Sequence, residues 1–361
     1  MNIVVLGLSI TSSWGNGHAT TYRALVRALA SRGHDVLFLE RDASWYAENR
    51  DLPEPPYCRA RLYRSIAELA DRATADLRTA DLVMVGSYVP EGIAIGDLVQ
   101  REAGGLTAFY DIDTPVTLAR LPSGDVDYIA PRQIPRYDIY LSFTGGPTLD
   151  LLQQSYGSPL ARPLYCSVDP ELYYPEPIEP QWDLGYLGTY SGDRQPVLAR
   201  LMLNAAAKAP DARFVVAGPQ YPDAIAWPVN VERVVHLAPS QHRCFYNALR
   251  YTLNVTRADM VKAGYSPSVR LFEAAACGTP IISDTWEGLD RFLTPGAEIL
   301  LSRNARQTLT YLHEISEGNR REIGARARQR VLTAHTALHR AMELESYVAE
   351  AGLRTAEKAA S

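Results

Sequence analysis

Ser266-Pro267-Ser268-Val269-Arg270-Leu271-Phe272-Glu273-Ala274-Ala275-Ala276-Cys277-Gly278-Thr279-Pro280-Ile281-Ile282-Ser283-Asp284 is the stretch that decides the fold. It reads as a helix start, a short helix, a stop and a buried strand. Ser266 is placed to cap, and Pro267 suits the first helical position, where its missing N–H costs nothing. Val269, Leu271, Phe272, Ala275 and Ala276 give the helix apolar surface on most sides. Gly278 accepts the left-handed conformation that ends a helix, Pro280 prevents continuation, and Ile281-Ile282 begin a strand. Such a helix presents the backbone N–H groups of Ser268 and Val269 at its N-terminus, where anions and above all phosphates bind. Glu273, a turn and a half further in, has the reach of a ribose ligand. Phosphate at the tip and a sugar diol at a carboxylate together describe a nucleotide-diphosphate site. The plain alternative is an intrahelical Arg270–Glu273 ion pair.

This segment resembles the donor-binding signature of GT-B glycosyltransferases, in which a glutamate precedes Ala-x-x-x-Gly-x-Pro. The longer run from Asn254-Val255-Thr256-Arg257-Ala258-Asp259-Met260 through Gly264-Tyr265 to Glu273 is similar, more narrowly, to the CgeB-like (spore-maturation-protein-like) group. Many retaining members carry Glu, seven residues, Glu; here Tyr265 stands in the first glutamate's place.

Composition is that of an ordinary water-soluble protein: 361 residues, 47% hydrophobic, 21% charged. The length suits two domains. A net charge of -5 argues against a nucleic-acid polyanion as partner. Cys58, Cys166, Cys244 and Cys277 form no metal-binding spacing and read as reduced thiols. No apolar run approaches the ~20 residues that span a bilayer. Met1-Asn2-Ile3-Val4-Val5-Leu6 enters a strand with no basic leader, so the expected location is the cytoplasm.

From the N-terminus, Asn2 to Ile10 reads as a buried parallel strand, followed by the loop Thr11-Ser12-Ser13-Trp14-Gly15-Asn16-Gly17-His18 and a helix from Ala19 to Arg32. Tyr22, Leu25, Val26 and Leu29 share one face of that helix, and Asp35 to Glu40 is the next strand. This βαβ unit begins a doubly wound sheet. Glu40 stands where a dinucleotide-binding fold keeps its ribose acid, but Thr20 occupies the third glycine's place, so an NAD site is disfavoured. Gly15 and Gly17 instead suit a loop that brings backbone close to donor phosphates or acceptor. His18, at the helix start, is a candidate general base. Residues 41 to 75 read as irregular and then helical, with Trp45, Tyr46 and Tyr57 as a candidate sugar-facing surface.

Strands are expected at 81–85, 107–111 and 137–143. Asp111-Ile112-Asp113 ends one of them, where α/β sheets place ligand-facing groups. Asp-x-Asp is also the metal and diphosphate signature of the other main glycosyltransferase architecture. Without the rest of that architecture, Asp113 or Asp111 is read as a base or acceptor ligand, and no metal is assigned. One of the two capping the following helix is the plain alternative.

Pro175, Pro177 and Pro180 stiffen a linker, after which the alternation restarts with strands at 182–187, 213–217, 231–237 and 251–255. Gly188-Thr189 follows the first of these and, as the resemblance implies, would line the donor pocket. Arg257 and Lys262 precede the 266–276 helix and would neutralise a leaving diphosphate. Seven arginines against three glutamates over 303–330 read as a solvated basic face, with peripheral contact to acidic lipid as the rival.

The expected fold is therefore α/β with GT-B architecture: two Rossmann-like doubly wound domains facing a central cleft. Residues 1–168 form an acceptor-side domain, 169–181 the linker, 182–330 the nucleotide-sugar donor domain, and 331–361 a helix crossing back, frayed from Arg354. The resemblance implies transfer of a sugar from a nucleotide-diphosphate sugar to a hydroxyl acceptor, without metal or other cofactor. The donor-binding residues would be Gly15, Gly17, Gly188, Thr189, Arg257, Lys262, Ser266, Ser268, Val269, Arg270 and Glu273, with His18 and Asp113 catalytic. The acceptor would be a carbohydrate, lipid-linked glycan, protein or small molecule. A nucleotide-sugar epimerase or hydrolase, and a non-catalytic nucleotide-sugar-binding scaffold, are the rival readings.

Overall fold

The computed structural model describes residues 1–14 and 17–360, in two compact units. The first comprises Met1–Cys166 and the C-terminal stretch from Ala337; the second is Ser167–Thr336.

In the first unit, β1 (Asn2–Gly7), β2 (Asp35–Arg41), β3 (Arg59–Tyr63), β4 (Leu82–Gly86), β5 (Leu106–Asp111), β6 (Ile139–Ser142) and β7 (Ala161–Pro163) form one sheet. Its order is β3-β2-β1-β4-β5-β6-β7, and every pair is parallel. The central strands β1 and β4 are buried on both faces, which is why they read as continuous apolar runs. Tyr22, Leu25, Val26 and Leu29 of the helix His18–Ser31 are all buried, as their spacing predicts. That helix also packs against the helix Ala337–Ala360, which buries Ala341, Leu344 and Ala351.

The second unit repeats the plan with β8 (Trp182–Leu187), β9 (Phe214–Ala217), β10 (Val231–Val234), β11 (Leu249–Asn254), β12 (Ile281–Ser283) and β13 (Leu300–Leu301). Its order is β10-β9-β8-β11-β12-β13, again parallel throughout. In each sheet the order reverses beside the first strand, at β1/β4 and at β8/β11. The carboxyl ends of strands at such a reversal are where α/β folds collect ligand-binding groups.

Four local expectations are corrected. Residues 41–75 contain the helix Ser44–Ala47 and the edge strand β3, whose Arg59-Ala60-Arg61 has no apolar alternation to announce it. The strand after Asn2 stops at Gly7, because Glu40 draws Ser9 to Thr11 into a turn. Helix does not run unbroken from 331: it stops at Ala334 and restarts at Ala337. The break is fixed by His335, whose ring packs on Phe272 and Phe292 and whose carbonyl accepts from Val168 N–H. Nor does the chain fray at Arg354, which bonds to Glu350 and to the Pro159 carbonyl within the helix that reaches Ala360.

Candidate functional site

In the second unit the sheet reversal gathers a polar cluster. Asn254 ends β11 fully buried, and its Oδ1 accepts from Ser268 Oγ (2.8 Å) and Arg270 Nη1 (3.0 Å). Its Nδ2 donates to Ser283 Oγ and Thr256 Oγ1, which ties the ends of β11 and β12 together. Arg270 Nε donates to the Leu187 carbonyl at 2.6 Å, and the guanidinium lies 4.9 Å from the centre of the Tyr186 ring. An arginine fixed at Nε and Nη1 holds its remaining edge in one place. That edge lies against Gly188, where an added Cβ would sit 2.9 Å from Arg270 Nη2.

The Gly188-Thr189 turn is itself clamped. Tyr221 Oη donates to the Gly188 carbonyl (3.0 Å) and Arg194 Nη2 to the Thr189 carbonyl (2.7 Å). Gly218, at φ +141°, passes so close that a Cβ there would stand 2.2 Å from the Gly188 carbonyl oxygen. Arg233 lies over both the Tyr221 and Trp227 rings, 4.2 and 4.4 Å from their centres, and donates to the Gly218 carbonyl. Nearby, Asp193 accepts from Ser191 and from the Ala258 N–H, and so anchors the start of the helix Ala258–Ala263. Burial of the Asp284 carboxyl, which accepts from Thr256 and Ser283, raises its pKa against those bonds.

The organising helix is Val269–Ala276, and its N-cap is Ser268, not Ser266. Ser266 is buried, Tyr265 has φ 47°, and the chain stays extended through Ser268, two residues beyond the expected start. Ser268 makes no side-chain cap, because its hydroxyl is engaged by Asn254. The outward donors of the first turn are therefore Val269 and Arg270, since Leu271 N–H returns to the Ser268 carbonyl. Arg270 and Glu273 do not form the intrahelical ion pair that was the plain alternative: Arg270 turns to the strand ends, while Glu273, 4% exposed, accepts from Tyr246 Oη at 3.0 Å. Tyr173 bonds to the same carboxylate, and burial together with that charge raises the pKa of both phenols. Arg257 is the half-buried N-cap of Ala258–Ala263, and Lys262 is exposed in that helix's last turn.

In the first unit, His18 opens the helix His18–Ser31, and its ring meets Tyr88 edge-on at 5.2 Å. Tyr88 Oη donates to Asp113 Oδ2 at 3.2 Å. His18 Nδ1 is buried without a hydrogen-bond partner among the described residues. Burial lowers the His18 pKa, and the Asp113 charge opposes that. Two of the expected residues thus meet around a tyrosine that sequence reasoning did not single out. Gly17 is exposed beside them, and Gly15 lies outside the described residues.

Asp111 does not face outward. It is fully buried, with Tyr140 on Oδ2 (2.6 Å) and Thr117 and the Asp113 N–H on Oδ1. Burial raises its pKa to about 7 against those bonds. Asp111 is thereby withdrawn as a candidate base, and the Asp-x-Asp pair is not a pair of open carboxylates. Asp113 occupies the N-cap of the helix Thr114–Arg120 without capping it through its side chain. Among the described residues no group of three or more His, Cys, Asp or Glu is gathered to hold a metal ion. Glu40 accepts from Ser9 Oγ, Ile10 N–H, Thr11 N–H and Thr11 Oγ1, so it shapes the loop leading towards His18.

Two parallel Rossmann-like sheets with these strand orders define the GT-B glycosyltransferase fold. The chain superposes on an alpha-glucosyltransferase in complex with UDP-glucose and DNA containing an abasic site, with TM-score 0.73, 13% identity, and 97% and 99% of the two chains covered. It also matches Anabaena HepE in complex with UDP and glucose (TM-score 0.71, 12% identity, 97% and 100% covered). The sucrose-phosphate synthase of Thermosynechococcus elongatus gives TM-score 0.69 at 16% identity over 100% of both chains. Residues 194–346, which include the organising helix, match the family described as glycosyl transferase-like. The fold is that of the GT-B glycosyltransferases, and the segment 194–346 is glycosyl transferase-like in sequence. No curated protein matches it in sequence.

Proposed function

We propose that this protein transfers a glycosyl group from a nucleotide-diphosphate sugar, with uridine diphosphate as the nucleotide, to a hydroxyl-bearing acceptor. The observation that carries the reading is the convergence of Arg270, Asn254 and Gly188-Thr189 at the β8/β11 reversal, beside the first turn of Val269–Ala276. Two of the superposable glycosyltransferases are complexes with UDP or UDP-glucose, which supports the uridine assignment.

In this reading the N–H groups of Val269 and Arg270, with the Arg270, Arg257 and Lys262 cations, take the diphosphate. Gly188-Thr189 closes on it, Ser266 and Ser268 shape the approach to the helix tip, and Glu273 serves the ribose. Gly15 and Gly17 are assigned to the donor from the sequence alone. The acceptor oxygen bonds to the anomeric carbon as the carbon–phosphate oxygen bond breaks, and the nucleoside diphosphate leaves. With inversion the acceptor proton goes to His18 or Asp113 in the first unit; with retention the leaving phosphate takes it. Charge neutralisation by Arg270, Arg257 and Lys262 supports a metal-independent reaction. The net charge of -5 supports an acceptor other than nucleic acid. The CgeB-like grouping rests on the Asn254–Glu273 run.

A thermal-shift panel of UDP, GDP, ADP, CMP and dTDP, each with and without magnesium, tests the assignment. A rise in Tm with UDP that is indifferent to magnesium is expected. A rise that requires magnesium would overturn metal independence. No rise with any nucleotide would remove the donor site, and a rise without transfer to any acceptor would favour the binding scaffold.

A further inference from the structure

Tyr88 is built into the first unit in a way that packing alone does not require. It follows β4 with φ 62°, the left-handed region that a tyrosine rarely occupies. Such conformations persist where the surroundings impose them, and they cluster at functional sites. Here the surroundings are specific. Ser87 N–H donates to the Tyr110 carbonyl, and Ser87 Oγ accepts from the Ile112 N–H at 3.1 Å, which locks the end of β4 to the end of β5. The next residue, Tyr88, then turns its hydroxyl onto Asp113 and its ring onto His18, with Tyr128 behind it at 4.7 Å.

We propose that Tyr88 is a positioning residue that holds the His18 imidazole and the Asp113 carboxylate in one fixed arrangement for removing the acceptor proton. The proposal rests on the inverting branch of the reading given above, with His18 as the base. His18 takes the proton as the acceptor oxygen bonds to the anomeric carbon, Asp113 stabilises the imidazolium through its charge, and the nucleoside diphosphate carries off the bonding electrons. Tyr88 touches neither substrate. Its hydroxyl keeps the carboxylate from turning away, and its ring edge sets the tilt of the imidazole. The titratable groups acting around the pair are Tyr88 itself and, through Tyr88, Asp111 and Tyr128.

The test follows the His18 ring by NMR titration in the full chain, in wild type, Asp113→Asn, Tyr88→Phe and the double variant. Tyr88→Phe keeps the ring and deletes only the hydroxyl. In wild type, Asp113→Asn removes a charge that favours the imidazolium, so the His18 midpoint should fall. In the Tyr88→Phe background the same change should produce less than about half that fall. Transfer kinetics should show kcat reduced about tenfold in Tyr88→Phe, with donor KM unchanged and the acid limb of the pH profile displaced. Equal Asp113→Asn shifts in both backgrounds would overturn the positioning role. A His18→Gln enzyme with wild-type kcat would overturn the proton-removal role instead, while the titration still reports whether Tyr88 couples the pair.

Discussion

Glu273 is the residue at which the proposed ribose role and a structural demand coincide. Its carboxylate is buried under Tyr246 and Tyr173, so deleting it leaves phenol hydroxyls without an acceptor in the core of the second unit. Glu273→Ala is therefore expected to lose about 1–3 kcal/mol of stability, read as a lower urea midpoint, besides raising the donor KM. Glu273→Gln keeps an acceptor for Tyr246 and separates the two effects. A near-wild-type urea midpoint with a raised donor KM would support the ribose role; unchanged donor kinetics would remove it. Asp111 is the other residue whose burial has a measurable sign. Its folded pKa of about 7 lies above the ordinary carboxylate value, so the native state holds a proton that the unfolded chain releases near pH 4. The associated stability is complete below about pH 4 and is lost as pH rises through about 7. Relative to Asp111→Asn, the wild type should weaken by a few kcal/mol, to order of magnitude, between pH 4 and 8. Urea titrations of both proteins at several pH values check this, and parallel curves would refute it.

At the scale of elements, the Gly188-Thr189 turn of the proposed donor site is held by backbone approach as much as by side chains. Gly218 is the sharpest case, since any Cβ would collide with the Gly188 carbonyl while the backbone sits at a φ that L-residues rarely adopt. Gly218→Ala should displace the Gly188-Thr189 turn, lower Tm by several degrees and weaken UDP binding about tenfold or more, measured by calorimetry. Unaltered UDP affinity would show that this turn lies outside the donor site. The arginine-rich helix Glu317–Ala334 shows the opposite relation between sequence and role. Arg320 and Arg321 pair with Glu317, Arg326 with Glu322 and Arg330 with Glu298, while Arg328 Nε donates to the Ala276 carbonyl. The basic face that suggested a lipid surface is largely engaged within the second unit. Flotation with anionic vesicles should accordingly leave the protein unbound; stable co-flotation would restore the lipid reading.

At the scale of the molecule, the chain leaves its first unit after Cys166 and returns to it at Ala337. The returning helix buries Ala341, Leu344 and Ala351 and adds the ion pairs Arg32–Glu345 and Arg162–Glu350. Exposed pairs of this kind contribute little and are screened by salt, whereas buried apolar area contributes substantially. Arg162→Ala should therefore change Tm only slightly, while a chain ending at Thr336 should lose the cooperative unfolding of its first unit. Differential scanning calorimetry separates these outcomes. An intact first-unit transition in the shortened chain would mean the helix is an accessory. Among the described residues no helix is long and apolar enough to cross a membrane.

Periodicity determined most of what was legible beforehand: the alternation of apolar strands with amphipathic helices, the Pro-rich joint, and the Ser266–Asp284 helix-stop-strand in the second unit. These signals are local, because apolar spacing, Gly and Pro act within a few residues of where they stand. Edge strands such as Arg59–Tyr63 escaped because their side chains meet solvent and carry no apolar pattern. The site itself was decided by tertiary structure. Asn254 meets Arg270, Arg233 lies over Tyr221 and Trp227, Tyr88 bridges His18 and Asp113, and Asp111 turns inward to Tyr140. Each of those meetings joins side chains from different elements or loops. Only the folded order of each sheet, reversing at β1/β4 in the first unit and at β8/β11 in the second, sets those elements side by side.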